Sequence, residues 1–210
     1  AAAAALSVVA MHCKHLSELV LHGGELGEEA IWPVAASCER LRLLELRCHG
    51  ATGSAVRAIA AKCASLETVR VIPADLGRPA HESRAAAVEP SSQSATQAAV
   101  TPTMGEPTSV GQCRVGNEEV IALAAHCPCM REIDLPRSEA GAEGIRALLT
   151  SCPALEVVIL SGCVSLTAEG LAPLSASPPP CPHLRVVDLR DCTALSVECL
   201  PHLAALRLTA

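Results

Sequence analysis

The sequence predicts an α/β solenoid, a horseshoe arc of about seven helix-and-strand repeats with parallel strands on the concave face and helices on the convex face. Three observations carry that expectation. One apolar phrase recurs along the chain, most of its copies share one fixed interval, and each joins a helical apolar stripe to a strand-like alternation.

The phrase is anchored at Cys13, Cys38, Cys63, Cys127, Cys152, Cys181 and, with leucine in the cysteine's place, Leu200. Cys13, Cys38 and Cys63 are evenly spaced, and Cys127 and Cys152 repeat the same interval. Upstream of the anchors Cys13, Cys38, Cys63, Cys127 and Cys152 apolar residues fall at −7, −4, −3 and 0, as in Ile145, Leu148, Leu149 and Cys152, which is one face of a helix. Downstream they fall at +3, +6 and +8, as in Leu155, Val158 and Leu160, and as Leu203, Leu206 and Leu208 do after Leu200. The +6 and +8 pair alternates with variable neighbours, the period of a strand with one face inward. A single helix and strand cannot bury both faces alone, so each unit must stack on the next. Helices are wider than the strands they back, and the stack therefore curves. Asn117 and Thr167 stand at helix starts as expected N-caps. Between Cys152 and Cys181 the spacing lengthens through one extra residue before Leu171 and the run Pro178 to Pro180.

The repeat resembles the cysteine-containing subfamily of leucine-rich repeats, found in F-box/LRR proteins and in cytoskeletal and ciliary scaffold subunits. Residues 151–171, S-C-P-A-L-E-V-V-I-L-S-G-C-V-S-L-T-A-E-G-L, carry the likeness nearly letter for letter, and it covers everything except an internal insert. What the resemblance implies is a leucine-rich-repeat solenoid that holds a protein. The scaffold is reused widely, so it does not select one function.

The insert spans about 73–116, within a single solenoid covering 1–210. The interval from Cys63 to Cys127 is more than twice the usual one, and the excess falls between the strand ending at Val71 and the helix near Glu118. It is rich in Pro, Ser, Ala and Thr and shows neither period, a composition that buries too little surface to offset ordering. We read it as a tolerated excursion at the solenoid edge, with a regulatory loop carrying Thr101-Pro102 as the alternative.

Composition narrows the function. The net charge is −6, Lys and Arg are not clustered, and Phe and Tyr are absent, which argues against a nucleic-acid partner. No stretch has the length and apolarity of a membrane span, and Ala1 to Met11 fits the helical stripe rather than a signal peptide. Six of the twelve cysteines occupy one repeat position, while Cys163 and Cys192 share another. That regularity points to buried thiols filling columns between units, in an intracellular and specifically cytoplasmic protein that could associate with the cytoskeleton.

Catalytic chemistry is not expected. His22-Gly23-Gly24 has no nucleophile elbow to serve, and His126, Cys127 and Cys129 lack a second ligand pair for zinc, so no metal, cofactor or enzyme activity is anticipated. Cys113, in the insert, is the thiol expected to be most exposed. What remains is the concave face at +5, +7 and +9. Its expected protein-binding residues are Glu45, Arg47, Arg70, Asp134, Val157, Ile159, Val186, Asp188, Arg190 and Arg207, an apolar centre flanked by charge. The expected function is a non-enzymatic scaffold, a subunit of a larger hetero-complex. Neither end carries a polar capping unit, which suits a fragment or a piece capped by a partner. The alternative is the substrate-recognition part of an F-box ubiquitin-ligase receptor, with the F-box outside this chain.

Overall fold

A run of parallel strands joined by helices is what the two alternating periods demand, and the structure, a computed structural model, has that form. It describes residues 2–25, 28–49, 53–73 and 114–204. The elements are α1 (Ala2–His12), β1 (Glu18–Glu25), α2 (Glu28–Ser37), β2 (Leu43–His49), α3 (Gly53–Ala60), β3 (Thr68–Val71), α4 (Asn117–His126), β4 (Glu132–Asp134), α5 (Ala142–Ser151) and β5 (Val157–Ile159). A 3-10 segment (Ala168–Ser175), β6 (Val186–Asp188), a 3-10 turn (Val197–Cys199) and α6 (Leu200–Ala204) follow. The sheet is open, in the order β1-β2-β3-β4-β5-β6, and every neighbouring pair is parallel.

Register follows from the apolar pattern. A slip of one residue would turn each strand's leucines to the other face. Leu19, Leu44, Val69, Ile133, Val158 and Val187 stand in one row across the six strands. The side chains of that row, and of the +8 row below it, face the helices, where Leu44, Leu46, Val69, Ile133, Leu135 and Leu160 are buried with Ile59, Leu123, Ile145 and Leu148.

The anchor cysteines do more than fill space. Each thiol donates to the anchor carbonyl of the preceding unit: Cys38 Sγ to Cys13 O at 3.5 Å, Cys63 to Cys38 at 3.3 Å, Cys127 to Cys63 at 3.7 Å, Cys152 to Cys127 at 3.6 Å and Cys181 to Cys152 at 3.4 Å. A second ladder runs beside it, from Cys163 Sγ to Leu135 O at 3.4 Å and from Cys192 Sγ to Leu160 O at 3.0 Å. These carbonyls also accept the amide three residues on, as Cys63 O does from Leu66 N at 3.1 Å, and a thiol is small and apolar enough to be buried beside them as a second, weak donor. Burial pushes the thiols of Cys127 and Cys152 up to about 12 and those of Cys63 and Cys181 up to about 11. Cys13 is the exception and is exposed, because among the described residues no unit packs on its outer side.

The position ten residues after the anchor differs where the repeat spacing breaks. Gly23, Arg137, Gly162 and Asp191 occupy it with φ of 81°, 54°, 74° and 60°, in the left-handed region; Arg137, Gly162 and Asp191 follow the ends of their strands, and Gly23 sits where the β1 register shifts. Its amide registers the next unit, as Arg137 N donates to Ser161 O and Gly162 N to Arg190 O, both at 2.7 Å. In the third unit this position is Pro73, whose ring locks φ on the negative side and which has no N–H to give. Neither that conformation nor its hydrogen bond is open to that unit.

Several expectations need correction. Six strands are described, not seven. Leu200 is no anchor: it is exposed, at the start of α6, and the segment of Leu206 to Leu208 lies outside the described residues. Leu200 and Leu203 satisfy the apolar phrase at a spacing that a helix satisfies equally well, so the spacing alone does not separate the two. Gly116, not Asn117, is the N-cap of α4. The Asn117 side chain reaches across instead, and its Oδ1 accepts from Gly141 N at 2.8 Å and Gly144 N at 3.1 Å at the start of α5. Gly144 is needed there, since a Cβ would stand 2.9 Å from that oxygen. Thr167 is the N-cap of its segment but makes no side-chain cap bond, and the segment is 3-10 rather than α. The insert's end moves inward: Val115 is fully buried, its carbonyl accepts from Glu139 N at 3.0 Å, and Arg114 O accepts from Gly53 N at 3.0 Å. Residues 74–113, with Thr101 and Cys113, lie outside the described residues.

Two outcomes test this packing. Leu155 and Leu160 are both fully buried; truncating either to Ala should lower the unfolding free energy by about 2–5 kcal/mol, measured by urea titration, and a change near zero would show the register to be wrong. The thiols give a pH signature. Their folded pKa values lie above the unfolded value of 9.0, so the stability they contribute is complete below about pH 9 and is lost as pH rises toward 11 to 12. With no tyrosine in the chain to titrate in the same range, stability in reducing buffer should be flat from pH 7 to about 8.5 and fall beyond 9. A rise above pH 9 would contradict the buried column.

Candidate protein-binding face

Side chains alternate along a strand, so the residues between the leucines form the sheet's outward face. The structure divides that face into two parts of different chemistry. Over β1–β4 it is mainly a network of charge centred on Glu45, with Val20 exposed on β1 and Leu43 half-buried on β2. His22 Nε2 donates to Glu45 Oε1 at 2.9 Å, Arg47 Nε to the same oxygen at 2.7 Å and Arg70 Nη1 to Oε2 at 3.2 Å. Arg70 Nε also donates to Glu132 Oε1 at 2.8 Å, spanning three adjacent strands. Burial alone would raise the Glu45 carboxyl; the bonds from His22, Arg47 and Arg70 outweigh it and hold the pKa below the ordinary carboxylate value. For Arg70, burial lowers the pKa and the bonds and charges of Glu132 and Glu45 more than offset it.

This geometry changes the roles expected from the sequence. Glu45 is 5% exposed and Asp134 2%, so neither offers a contact to a partner. Glu45 is roofed by the three cationic or hydrogen-bonding side chains that hold it. Arg47 and Arg70 are largely covered and already engaged with carboxylates, so they brace the face rather than stand free at its rim. Ile72 and Pro136, which share the outward row, are buried as well.

Over β5 and β6 the face is apolar. Val157 and Ile159 are half-buried and adjoin Val186, 44% exposed, through the pairings Val157 with Val186 and Ile159 with Asp188. Asp188 and Arg190 border this patch as a pair, Arg190 Nε lying 2.9 Å from Asp188 Oδ1, and Arg190 is exposed. Arg207 lies outside the described residues.

A further column is absent from the sequence reading. Four residues after the anchors from Cys38 to Cys181 stand Arg42, Glu67, Arg131, Glu156 and Arg185, alternating in sign at the entries to β2–β6. Arg42 Nε donates to Glu67 Oε1 at 2.7 Å, Arg131 Nε to Glu156 Oε1 at 2.7 Å, and Arg185 to the other oxygen of Glu156. Writing the repeats one under another and following the charges, rather than the leucines, would have found it. Two shallow hollows flank the column: one of about 190 Å³ bordered by Thr68, Arg131, Glu156, Val157 and Arg185, and one of about 370 Å³ bordered by Arg40, Arg42, Ser65, Glu67 and the exposed Cys129. Among the described residues no group of three or more His, Cys, Asp or Glu is placed to hold a metal ion, and no helix is long and apolar enough to cross a membrane.

Compared with protein-family models and with curated protein sequences, the chain matches none.

The Glu45 network makes its own prediction. Because the folded pKa is lowered, its contribution is complete above about 4.5 and is lost as pH falls through the folded value. Glu45→Ala leaves two half-buried guanidinium groups without their shared acceptor and should cost about 1.5–3 kcal/mol at pH 7. Glu45→Gln should flatten the acid limb of stability against pH, and an unchanged limb would mean that the carboxylate is not the titrating hub.

Proposed function

We propose that the chain is a leucine-rich-repeat solenoid that works as a non-enzymatic scaffold, binding a protein partner through the outward face of its sheet within a larger intracellular assembly. The observation that carries this reading is the apolar patch of Val157, Ile159 and Val186 on the side of the sheet away from the helices. A solvated sheet face favours polar residues there, and the neighbouring strands carry them. An apolar centre bordered by ion pairs is the composition of a recognition surface, where the centre supplies affinity and the charged border supplies orientation and on-rate. The braced network around Glu45 supports the reading from the other side, because a rigid face loses little side-chain freedom when a partner docks.

The test is recovery of partners from a lysate by the immobilised chain and its variants. Ile159→Asp places a charge at the patch centre and should remove at least one partner recovered by the parent chain, with little change in melting temperature, since Ile159 is outside the core. Recovery of the same partners in the same amounts would refute binding through this face.

A further inference from the structure

The alternating column beside the sheet face has an asymmetry that its pairing alone does not require. Its arginines lie outermost and its glutamates beneath them: the side chains of Arg42, Arg131 and Arg185 are 63%, 56% and 67% exposed, against 25% and 17% for Glu67 and Glu156. A row of alternating charge, three arginines to two glutamates, therefore shows its cations to solvent. They stand just before alternate strands, β2, β4 and β6, whose backbones lie about 10 Å apart, and Arg131 and Arg185 converge on the two oxygens of Glu156.

We infer that this edge docks an extended acidic segment of the protein partner, whose carboxylates engage Arg42, Arg131 and Arg185. The inference rests on the proposed protein-binding role and specifies the chemistry of what is bound. An extended chain advances about 3.3 Å per residue, so carboxylates at every third residue match the spacing of the strand entries that carry the arginines. Arginine is suited to the task, since its planar fork holds one carboxylate while a second approaches. The existing pairs are exposed ion pairs of small net strength, so exchanging a partner's carboxylate for an internal one costs little. The hollow between Thr68 and Val157 lies beside Arg131 and Arg185 and is lined also by Glu67, Glu132 and Glu156, so it suits a small neutral polar side chain between the segment's carboxylates. Val157 and Val186 directly follow Glu156 and Arg185, which makes the edge continuous with the apolar patch.

Carboxylates rather than nucleic-acid phosphates are favoured by three features. The glutamates beneath the arginines limit how much negative charge the edge accepts, the chain as a whole carries a charge of −6, and it has no Phe or Tyr on which bases could stack.

The experiment is fluorescence anisotropy with a labelled peptide of four Glu-Ser-Val repeats, alongside the same peptide with Lys for Glu and a single-stranded oligonucleotide of similar length. The Glu peptide should bind, and binding should weaken as salt is raised. The triple variant Arg42→Gln, Arg131→Gln, Arg185→Gln should lose about tenfold in affinity or more, and Arg185→Gln alone about two- to threefold. The single variant keeps the test open if the triple variant folds poorly. Equal binding by parent and variants, equal binding of the Lys peptide, or tighter binding of the oligonucleotide would each overturn the assignment. If Ile159→Asp removes a partner that the arginine variants still recover, the sheet-face reading stands and the acidic-segment assignment falls.

Discussion

In-register stacking of parallel strands is the constraint on which the rest of this molecule depends. Each residue lies beside its equivalent in the neighbouring unit, so any property written once per repeat becomes a column in space. Leucine at one position becomes a row of core, and cysteine at another becomes a ladder of thiols donating to carbonyls. The carbonyls at a helix end must find donors somewhere. A thiol can be buried at small cost and give these carbonyls a second, weak donor beside the backbone amide three residues on, which leucine there could not.

The same rule organises the surface. On the outward face Glu45 gathers His22, Arg47 and Arg70 because parallel pairing brings β1, β2 and β3 side by side in fixed register. At the strand-entry edge the alternation of Arg and Glu along the chain becomes alternation across the sheet, and each guanidinium meets a carboxylate one unit away. Like charges in successive units would have stood about 5 Å apart. Beside the last members of the column, Glu156 and Arg185, the outward face turns apolar at Val157, Ile159 and Val186, surface whose chemistry the fold itself does not use.

Most of the core could be read in the sequence because it is written locally. The +6 and +8 leucines and the −7 to 0 stripe each obey a period shorter than one unit, and nearly all of those residues in the described units are buried or packed against the core. The surface roles could not be read in the same way, because they depend on partners one repeat away. Glu45 has the look of a contact residue until three neighbours are found to cover it, and Asn117 that of a cap for its own helix although it serves the next one. Leu200 misleads for a different reason: three-residue spacing belongs to the helix and the return turn alike. Pro73 was legible in principle. Its contrast emerges only when the +10 position is seen to combine a positive φ with an amide bond to the next unit at Arg137 and Gly162.

Native-state hydrogen exchange tests the stacking most directly. The amides of Arg131 and Glu132 donate to Glu67 O, and those of Glu156 and Val157 donate to Arg131 O, so each pair ties one unit to the one before it. If in-register stacking holds the molecule together, these four amides should exchange slowly and at similar free energies, because opening one junction exposes the core of both neighbours. Fast exchange at the Glu67 junction with strong protection at the Arg131 junction would show that the units on either side of residues 74–113 stand independently, and would contradict the account.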